Sequence, residues 1–439
     1  GVVQQMDIIK SLMERSDVEG IISATDDDRE GQIIADEIIN YISPQKPVER
    51  ILLNEWTAEE VNRGLQNLKP NEEMKSLQDA GFGRQIADWL IGINLTSVAT
   101  LKYRNQKNIR LLNVGRVLMP TLKIIYDRDK EIADFKVTKY YKLKGIFQTE
   151  DKKKFDSIYY IKAGEKFDNP EELKEIQEKI KDKNGEVVSK KITNKKEYPP
   201  YLFNLSGLQG YITSKYKGWT SDRVLKTAQQ LYEKKFITYP RTASVVLDES
   251  LKEKTAKVLN IHKKSCPYEE MIQFKSTKRI FDSKKVESHS AIIPTYMQPG
   301  SLNESERIVY EAVKNRFLAQ FMPIAVAEDT VLHIKMQNTD IPGEFVAKGK
   351  VQLEAGWKLI EGIDAKETIL PAVKKGDVLP LIKSEINEVE RKPPKPHTEK
   401  TLLKVMETCG KKYEEKEEEQ MMMAILSVHR QPVRKPLKS

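Results

Sequence analysis

Cysteine is almost absent: Cys266 and Cys409 are the only two in 439 residues. That excludes a disulfide framework and a zinc ribbon, and it points to a reducing compartment. Also missing is any apolar run near the roughly 20 residues that a bilayer crossing needs, so a membrane partner is not expected. Histidine is scarce, with five in the chain, which draws attention to each one. The first residue is Gly1 rather than methionine, as a processed or truncated product would have, so the lack of a visible signal peptide decides little. Acidic dominance is absent too. Lys and Arg number 74 against 65 Asp and Glu, and the net charge of +9 favours a polyanionic partner. With 39% hydrophobic residues the chain can build cores, and its length suggests about three domains or one elongated, multi-lobed body.

The stretch Gly20 to Thr25 is short, apolar and β-branched, of strand type. Beyond Gly31, the residues Ile33, Ile34, Glu37, Ile38 and Tyr41 fall at helical spacing. Between strand and helix stand Asp26, Asp28 and Glu30 at alternate positions, where open α/β sheets place their ligands. Three converging carboxylates suit a hard divalent cation such as Mg²⁺. Two other readings stay open: a solvated acidic turn, and a calcium loop with Asp26, Asp28, Glu30, Gly31 and Glu37 at its ligand and glycine positions. The calcium loop needs a helix in front, for which Gly20 to Thr25 is poor material.

Along the chain, Met6 to Arg15 reads as helix and Arg50 to Leu53 as a second strand. A long helical pattern runs from Met74 to Leu101, with Arg84 and Asp88 spaced to pair on one face. A turn bounded by Gly115 and Pro120 leads into a helix from Leu122 to Ile132. Tyr140 to Ile161 alternates as strands do, and Pro170 to Lys183 is a charged helix. After Pro199-Pro200 the chain is mostly helical to about residue 329, including Arg223 to Lys235 behind a Thr220 cap, and Glu304 to Phe321. Strands return at Val331 to Met336, Phe345 to Val351 and Val378 to Ile382, and Lys392 to Pro396 reads as a linker. This order suggests a β domain interrupted by a whole helical domain.

Two further stretches carry chemistry. In Lys234-Lys235-Phe236-Ile237-Thr238-Tyr239-Pro240-Arg241-Thr242 a helix ends and Pro240 keeps Tyr239 out of helical geometry. Arg241 would share a side with Tyr239 in an extended chain. A phenol is a poor nucleophile near neutrality, but a neighbouring guanidinium stabilises a phenolate and clamps a phosphate. The bland alternative is a packed tyrosine beside a surface arginine. In Ser288-His289-Ser290-Ala291-Ile292-Ile293-Pro294-Thr295, His289 could orient or protonate a phosphate oxygen, or serve as a structural histidine.

Taken together, these stretches resemble type IA DNA topoisomerases, particularly the topoisomerase III branch. Asp26 to Gly31 matches the acidic Asp-x-Asp-x-Glu-Gly motif of the Toprim domain. Ala80 to Leu95 is similar to the helix that follows it, Gly115 to Leu122 to the Gly-Arg-Val-Gln-x-Pro-Thr-Leu motif, Tyr239 to Thr242 to the nucleophile motif, and His289 to Thr295 to the histidine motif; Arg316 to Phe321 also fits. The resemblance covers residues 6 to 412. It implies a multi-domain fold combining α/β, α and β parts, the type IA toroid, with a Toprim α/β domain that lacks its N-terminal strand. Residues 1–63 would be a partial Toprim domain, 64–135 and 391–439 a split and C-terminally truncated helical DNA-binding domain, 136–200 and 330–390 a β-rich gate, and 201–329 the helical domain bearing the tyrosine.

The activity so implied is transient single-strand DNA cleavage through a 5′-phosphotyrosine on Tyr239, strand passage and Mg²⁺-dependent rejoining, without ATP. Arg241 would stabilise charge on the phosphate, with His289 bonding nearby and Glu30 assisting catalysis. Asp26, Asp28 and Glu30 would hold Mg²⁺, and Arg29, Arg84, Arg116, Thr121, Thr242 and Thr295 would contact DNA. The substrate would be a single-stranded segment in negatively supercoiled duplex, and the protein a cytoplasmic, nucleoid-associated monomer; a partner helicase is not readable.

Four departures favour an alternative, a catalytically impaired DNA-binding remnant. A leading strand with a Glu-Lys pair is missing. Leu118 stands for glutamine, and Ala243 for aspartate. The last residues, His429 to Lys438, back-translate in a shifted frame to Ser-Ala-Thr-Arg-Ala-Glu-Thr-Ile-Lys, close to the family's next helix, so a frameshift before about Val428 is expected. Another Toprim enzyme, a nuclease or primase, would leave the Tyr239 and His289 motifs unexplained.

Overall fold

The computed structural model describes residues 2–53, 58–104, 111–286, 288–364 and 366–408, of which 58–60 by their backbone only. Cys409 and the stretch for which a frameshift is expected lie outside the described residues.

The apolar run Ile21–Ser23 forms β1, which pairs in parallel with β2 (Val48–Arg50). A two-residue β3 (Lys69–Pro70) lies antiparallel to β2. In front, α1 (Val2–Met13) buries none of its residues. Helix α2 (Arg29–Ile42) connects β1 to β2, with Ile33 and Ala35 buried beside the polar Gln32 and Asp36. A strand therefore precedes the acidic turn, and the calcium-loop reading, which requires a helix there, fails. The second strand ends at Arg50, earlier than the apolar pattern suggests, because register with β1 fixes it; Ile51 and Leu53 are buried just beyond it.

After α3 (Ala58–Leu65) comes α4 (Lys75–Tyr103), 29 residues long. Helix α5 (Leu118–Ala133) begins four residues before the expected Leu122. Pro120 then sits in the first helical turn, where its missing N–H leaves no bond unmade.

Six antiparallel strands close a barrel in the order β4-β5-β8-β7-β6-β9. They are β4 (Lys139–Gln148), β5 (Lys154–Tyr160), β6 (Asn184–Glu197), β7 (Ala325–Met336), β8 (Glu344–Glu354) and β9 (Val378–Glu390). Alternation along them sends Leu143, Phe147, Tyr159, Val187, Leu332 and Phe345 to the interior. Phe147 and Phe345 meet edge to face at 5.4 Å. The amphipathic α6 (Pro170–Ile180), capped by Asn169, adds Leu173, Ile176 and Ile180 to this core.

The chain between β6 and β7 builds a helical lobe from α7 (Leu205–Lys215), α8 (Ser221–Glu233), α9 (Lys252–Lys263) and α10 (Glu304–Phe321). Asn303 and Glu306 form a capping box on α10. A short α11 (Lys358–Glu361) follows β8 and packs on α10, and α12 (Glu399–Thr408) packs on α7. The crossover from barrel to lobe is clamped. Gln320 donates to the Pro200 carbonyl (2.7 Å), Arg316 to that of Tyr201 (3.1 Å), and Trp357 Nε1 to that of Glu197 (2.7 Å). Arg279 donates to the Pro199 carbonyl, and Arg316 also forms a buried ion pair with Glu361. Among the described residues no helix is long and apolar enough to cross a membrane.

Candidate active site

Helix α8 delivers Tyr239. It begins at the Thr220 cap, whose hydroxyl accepts from Arg223 N–H. It ends in a paired closure: Phe236 N–H donates to Leu231 O (2.9 Å) and Lys235 N–H to Tyr232 O (2.8 Å), the Schellman pattern. Lys235 supplies the left-handed residue, at φ 63°, where glycine is usual. The chain then runs beside the histidine segment. Thr238 N–H donates to Ile293 O, Ile293 N–H to Thr238 Oγ1, Thr242 Oγ1 to His289 O and Thr295 Oγ1 to Lys235 O. The hydroxyls of Thr242 and Thr295, expected on DNA, thus stitch the two segments together. Thr121 donates to Val117 O and touches Met406 of α12.

This stitching sets the Tyr239 ring against His289, centroids 4.6 Å apart. Tyr232 packs its ring edge on Tyr239 at 5.3 Å. Across from them, Asp26 Oδ1 lies 3.5 Å from His289 Nε2. At that length, and with Nε2 closing no hydrogen bond, the pair is a close polar contact. The His289 side chain still holds the Asp26 carboxyl below the usual carboxylate range, helped by Arg50 and opposed by burial. Tyr239 is half-buried, and burial raises its pKa above that of a free phenol; Asp26 pushes it further up, and the charge of the exposed Arg241 pulls it back. Asp27 is also raised, by burial first.

A second group surrounds Glu30. Its carboxylate pairs with Arg84 of α4 and lies 3.5 Å from Arg29 Nε. Asp88, expected to pair with Arg84, instead receives Arg116 at 3.0 Å; Arg116 comes from the turn before α5 and meets α4 from outside. Burial and the charges of Arg116 and Arg29 pull the Arg84 pKa down to about 10. Arg29 is lowered for the same reasons, burial and Arg116. The lowering of both Arg84 and Arg29, by burial and by neighbouring cationic charge, marks a crowded cationic cluster. Arg84 Nε and Arg116 Nη1 are buried nitrogens without a hydrogen-bond partner. A shallow groove lined by Asp88, Asn113, Gly115, Arg116 and Leu118 opens beside them.

The structure brings Tyr239, His289 and Asp26 together, and Arg29, Glu30, Arg84 and Arg116 together. It does not gather Asp26, Asp28 and Glu30 into one cage. Asp28 caps α2 by accepting from Gly31 N–H through Oδ1 (2.7 Å), and Glu30 is held by arginines. Among the described residues no group of three His, Cys, Asp or Glu side chains could hold a metal ion. Donor chemistry nonetheless suits Mg²⁺, which is commonly bound by one or two carboxylates plus waters: Asp26 is half-exposed, and Asp28 accepts its capping bond through one oxygen.

Sequence reasoning passed over Arg50, Gln32, Asp36 and Tyr232. For the first three a signal existed: an arginine opening an apolar strand-like run, and two polar residues on the apolar face of α2.

A family model described as DNA topoisomerase matches residues 72–410. The chain is 33% identical over 412 residues to DNA topoisomerase 3 of Staphylococcus epidermidis, an alignment spanning 92% of this chain and 56% of that protein. DNA topoisomerase 3 of Salmonella typhimurium is 30% identical over 445 residues, spanning 96% and 68%. The solved structure of full-length topoisomerase I from Thermotoga maritima superposes with a TM-score of 0.68 at 28% identity, over 93% of this chain and 65% of that one. The chain thus spans little more than half the length of the staphylococcal relative.

Proposed function

Because the chain belongs to the DNA topoisomerase family, as a type IA, topoisomerase III-like member, we propose that it cleaves and rejoins single-stranded DNA through Tyr239. The observation that carries this reading is the Tyr239 ring seated against His289, with Asp26 beyond it. In cleavage the Tyr239 oxygen attacks a backbone phosphorus and the bond from phosphorus to the 3′ oxygen breaks. The products are a 5′-phosphotyrosine and a 3′-hydroxyl, which takes up a proton. Arg241, two residues along, offsets charge on the phosphate, and His289 donates to a phosphate oxygen. Arg29, Arg84 and Arg116 bind the backbone of the flanking strand as a cationic groove.

Rejoining reverses these bonds. Asp26 and Asp28 would hold Mg²⁺, joined by Glu30 if it leaves Arg84, and the ion would supply charge neutralisation at the phosphate. In this reading residues 1–63 are part of a Toprim domain and 64–135 with 391–439 a helical DNA-binding domain. Residues 136–200 with 330–390 then form the gate, and 201–329 the tyrosine-bearing domain. Negatively supercoiled DNA, which exposes single strands, is the substrate.

The test is incubation with a labelled single-stranded oligonucleotide followed by denaturing electrophoresis. We expect a covalent adduct with the present chain and none with Tyr239→Phe. Adduct formation by Tyr239→Phe sinks the assignment. A second reading, a DNA-binding remnant, is favoured by the engagement of Glu30 with Arg84 and Arg29; it is the correct one if the chain binds the oligonucleotide and never forms the adduct.

A further inference from the structure

Arg50 is wholly buried at the end of β2, and the proposed chemistry gives it no role. Its guanidinium makes four hydrogen bonds. Nη1 donates to the carbonyls of Ser23 (3.1 Å) and Thr25 (2.8 Å), Nη2 to that of Asp26 (2.5 Å), and Nε to Gln32 Oε1 (3.1 Å). Three carbonyls within four residues of one turn thus converge on one side chain. Gln32 passes the connection on, donating to Asp36 Oδ2 (3.0 Å) and Asn71 Oδ1 (2.9 Å). Asp36, itself buried, also accepts from Asn71 (2.8 Å) and from Gln78 of α4 (2.9 Å). That same α4 carries Arg84, the partner of Glu30.

We infer that Arg50 is the positioning residue for the acidic turn. It gathers the backbone carbonyls of Ser23, Thr25 and Asp26 by hydrogen bonding and, through Gln32 and Asp36, ties the turn to the helix that carries Arg84. The turn is therefore ordered before any cation arrives. Its close fit agrees: a Cβ on Gly31 would lie 2.2 Å from the Asp26 carbonyl oxygen, and Thr25 Oγ1 donates to Gly31 O at 2.7 Å. Only a planar, forked donor reaches acceptors in several directions at once; an ammonium on a flexible stem does not. A satisfied buried network of this kind fixes one geometry. The inference rests on reading the turn as part of the cleavage site.

Arg50→Lys in the full chain tests it. Without Mg²⁺, backbone amides of residues 24 to 33 should exchange hydrogen about tenfold faster than in the unsubstituted chain, while peptides from α8 and α10 stay unchanged. The Mg²⁺ concentration for half-maximal rejoining should rise about tenfold, and the rate at saturating Mg²⁺ should return to its original value, as for residues that orient metal ligands. A loss that saturating Mg²⁺ does not restore, or unchanged exchange in the turn, overturns the inference. If Arg50→Lys does not fold, Gln32→Met leaves the three carbonyl bonds of Arg50 in place and removes the links from Arg50 to Asp36 and Asn71. It should speed exchange in the turn about threefold, and no change there overturns the inference as well. Absence of an adduct from the unsubstituted chain defeats the proposed function alone, since the exchange measurement still judges Arg50.

Discussion

Tyr239, the proposed nucleophile, is made harder to ionise by its own surroundings. Burial and Asp26 both disfavour its phenolate, and Arg241 is the counterweight. Since the phenolate is the attacking form, adduct formation should accelerate as pH rises through the alkaline range. Removing the Asp26 charge lowers the Tyr239 pKa, so Asp26→Asn should shift the pH profile of adduct formation towards lower pH; a profile left in place contradicts the coupling. The arginine group makes a separate prediction. If Arg116 contacts a phosphate, Arg116→Ala should reduce the slope of log affinity against log salt by about 0.7 for single-stranded DNA, as read by titration at several salt concentrations. These side chains could be singled out in the sequence because their types and spacing are chemical. Their partners could not. That Glu30 turns to Arg84, or that Thr242 and Thr295 donate to main-chain carbonyls, follows from which segments meet in space, and no local pattern carries that.

At the level of elements, agreement is best where the signal is local. Helix α10 falls on the Glu304 to Phe321 pattern because Asn303 and Glu306 cap it, and α4 follows its long periodic run. Helix α5 starts early because a proline reads as a break in sequence but fits a first turn in structure. β2 stops at Arg50 rather than spanning Arg50 to Leu53 because pairing partners, not apolarity, decide strand ends. The closure of α8 offers a test of local strain. Lys235 holds a left-handed conformation that costs a non-glycine residue about 1 kcal/mol, a cost partly offset by the greater unfolded-state entropy of glycine. Lys235→Gly should therefore stabilise the helical lobe by about 0.5 kcal/mol, the remainder after that offset. Chemical denaturation followed at that lobe measures it, and a loss of 1 kcal/mol or more would contradict the account.

For the molecule as a whole, stability should fall on mild acidification. His262 is buried in α9, donates from Nε2 to the Thr295 carbonyl (2.7 Å), and has its pKa lowered, by burial first. Lys314 lowers it further, and Glu311 and the Thr295 bond oppose this. Above about pH 6.5, the ordinary histidine value, both folded and unfolded chains leave it neutral and it contributes no pH dependence. Below that value the unfolded chain takes up a proton that the folded one resists, so stability declines until the lowered folded value is passed. The melting temperature should drop between pH 7 and pH 5, and His262→Gln, which keeps a donor for Thr295, should flatten that drop.

The clamped crossover between barrel and helical lobe has a mechanical consequence. Main-chain carbonyls from Glu197 to Tyr201 are gripped by Trp357, Arg279, Gln320 and Arg316, and the chain passes at once into the Asn204 cap of α7, whose amide reaches Ala243 O at 3.1 Å. Bonds of this density leave little slack. A torque on the barrel wall is transmitted to the segment bearing Tyr239 as through a lever, not absorbed as by a tether.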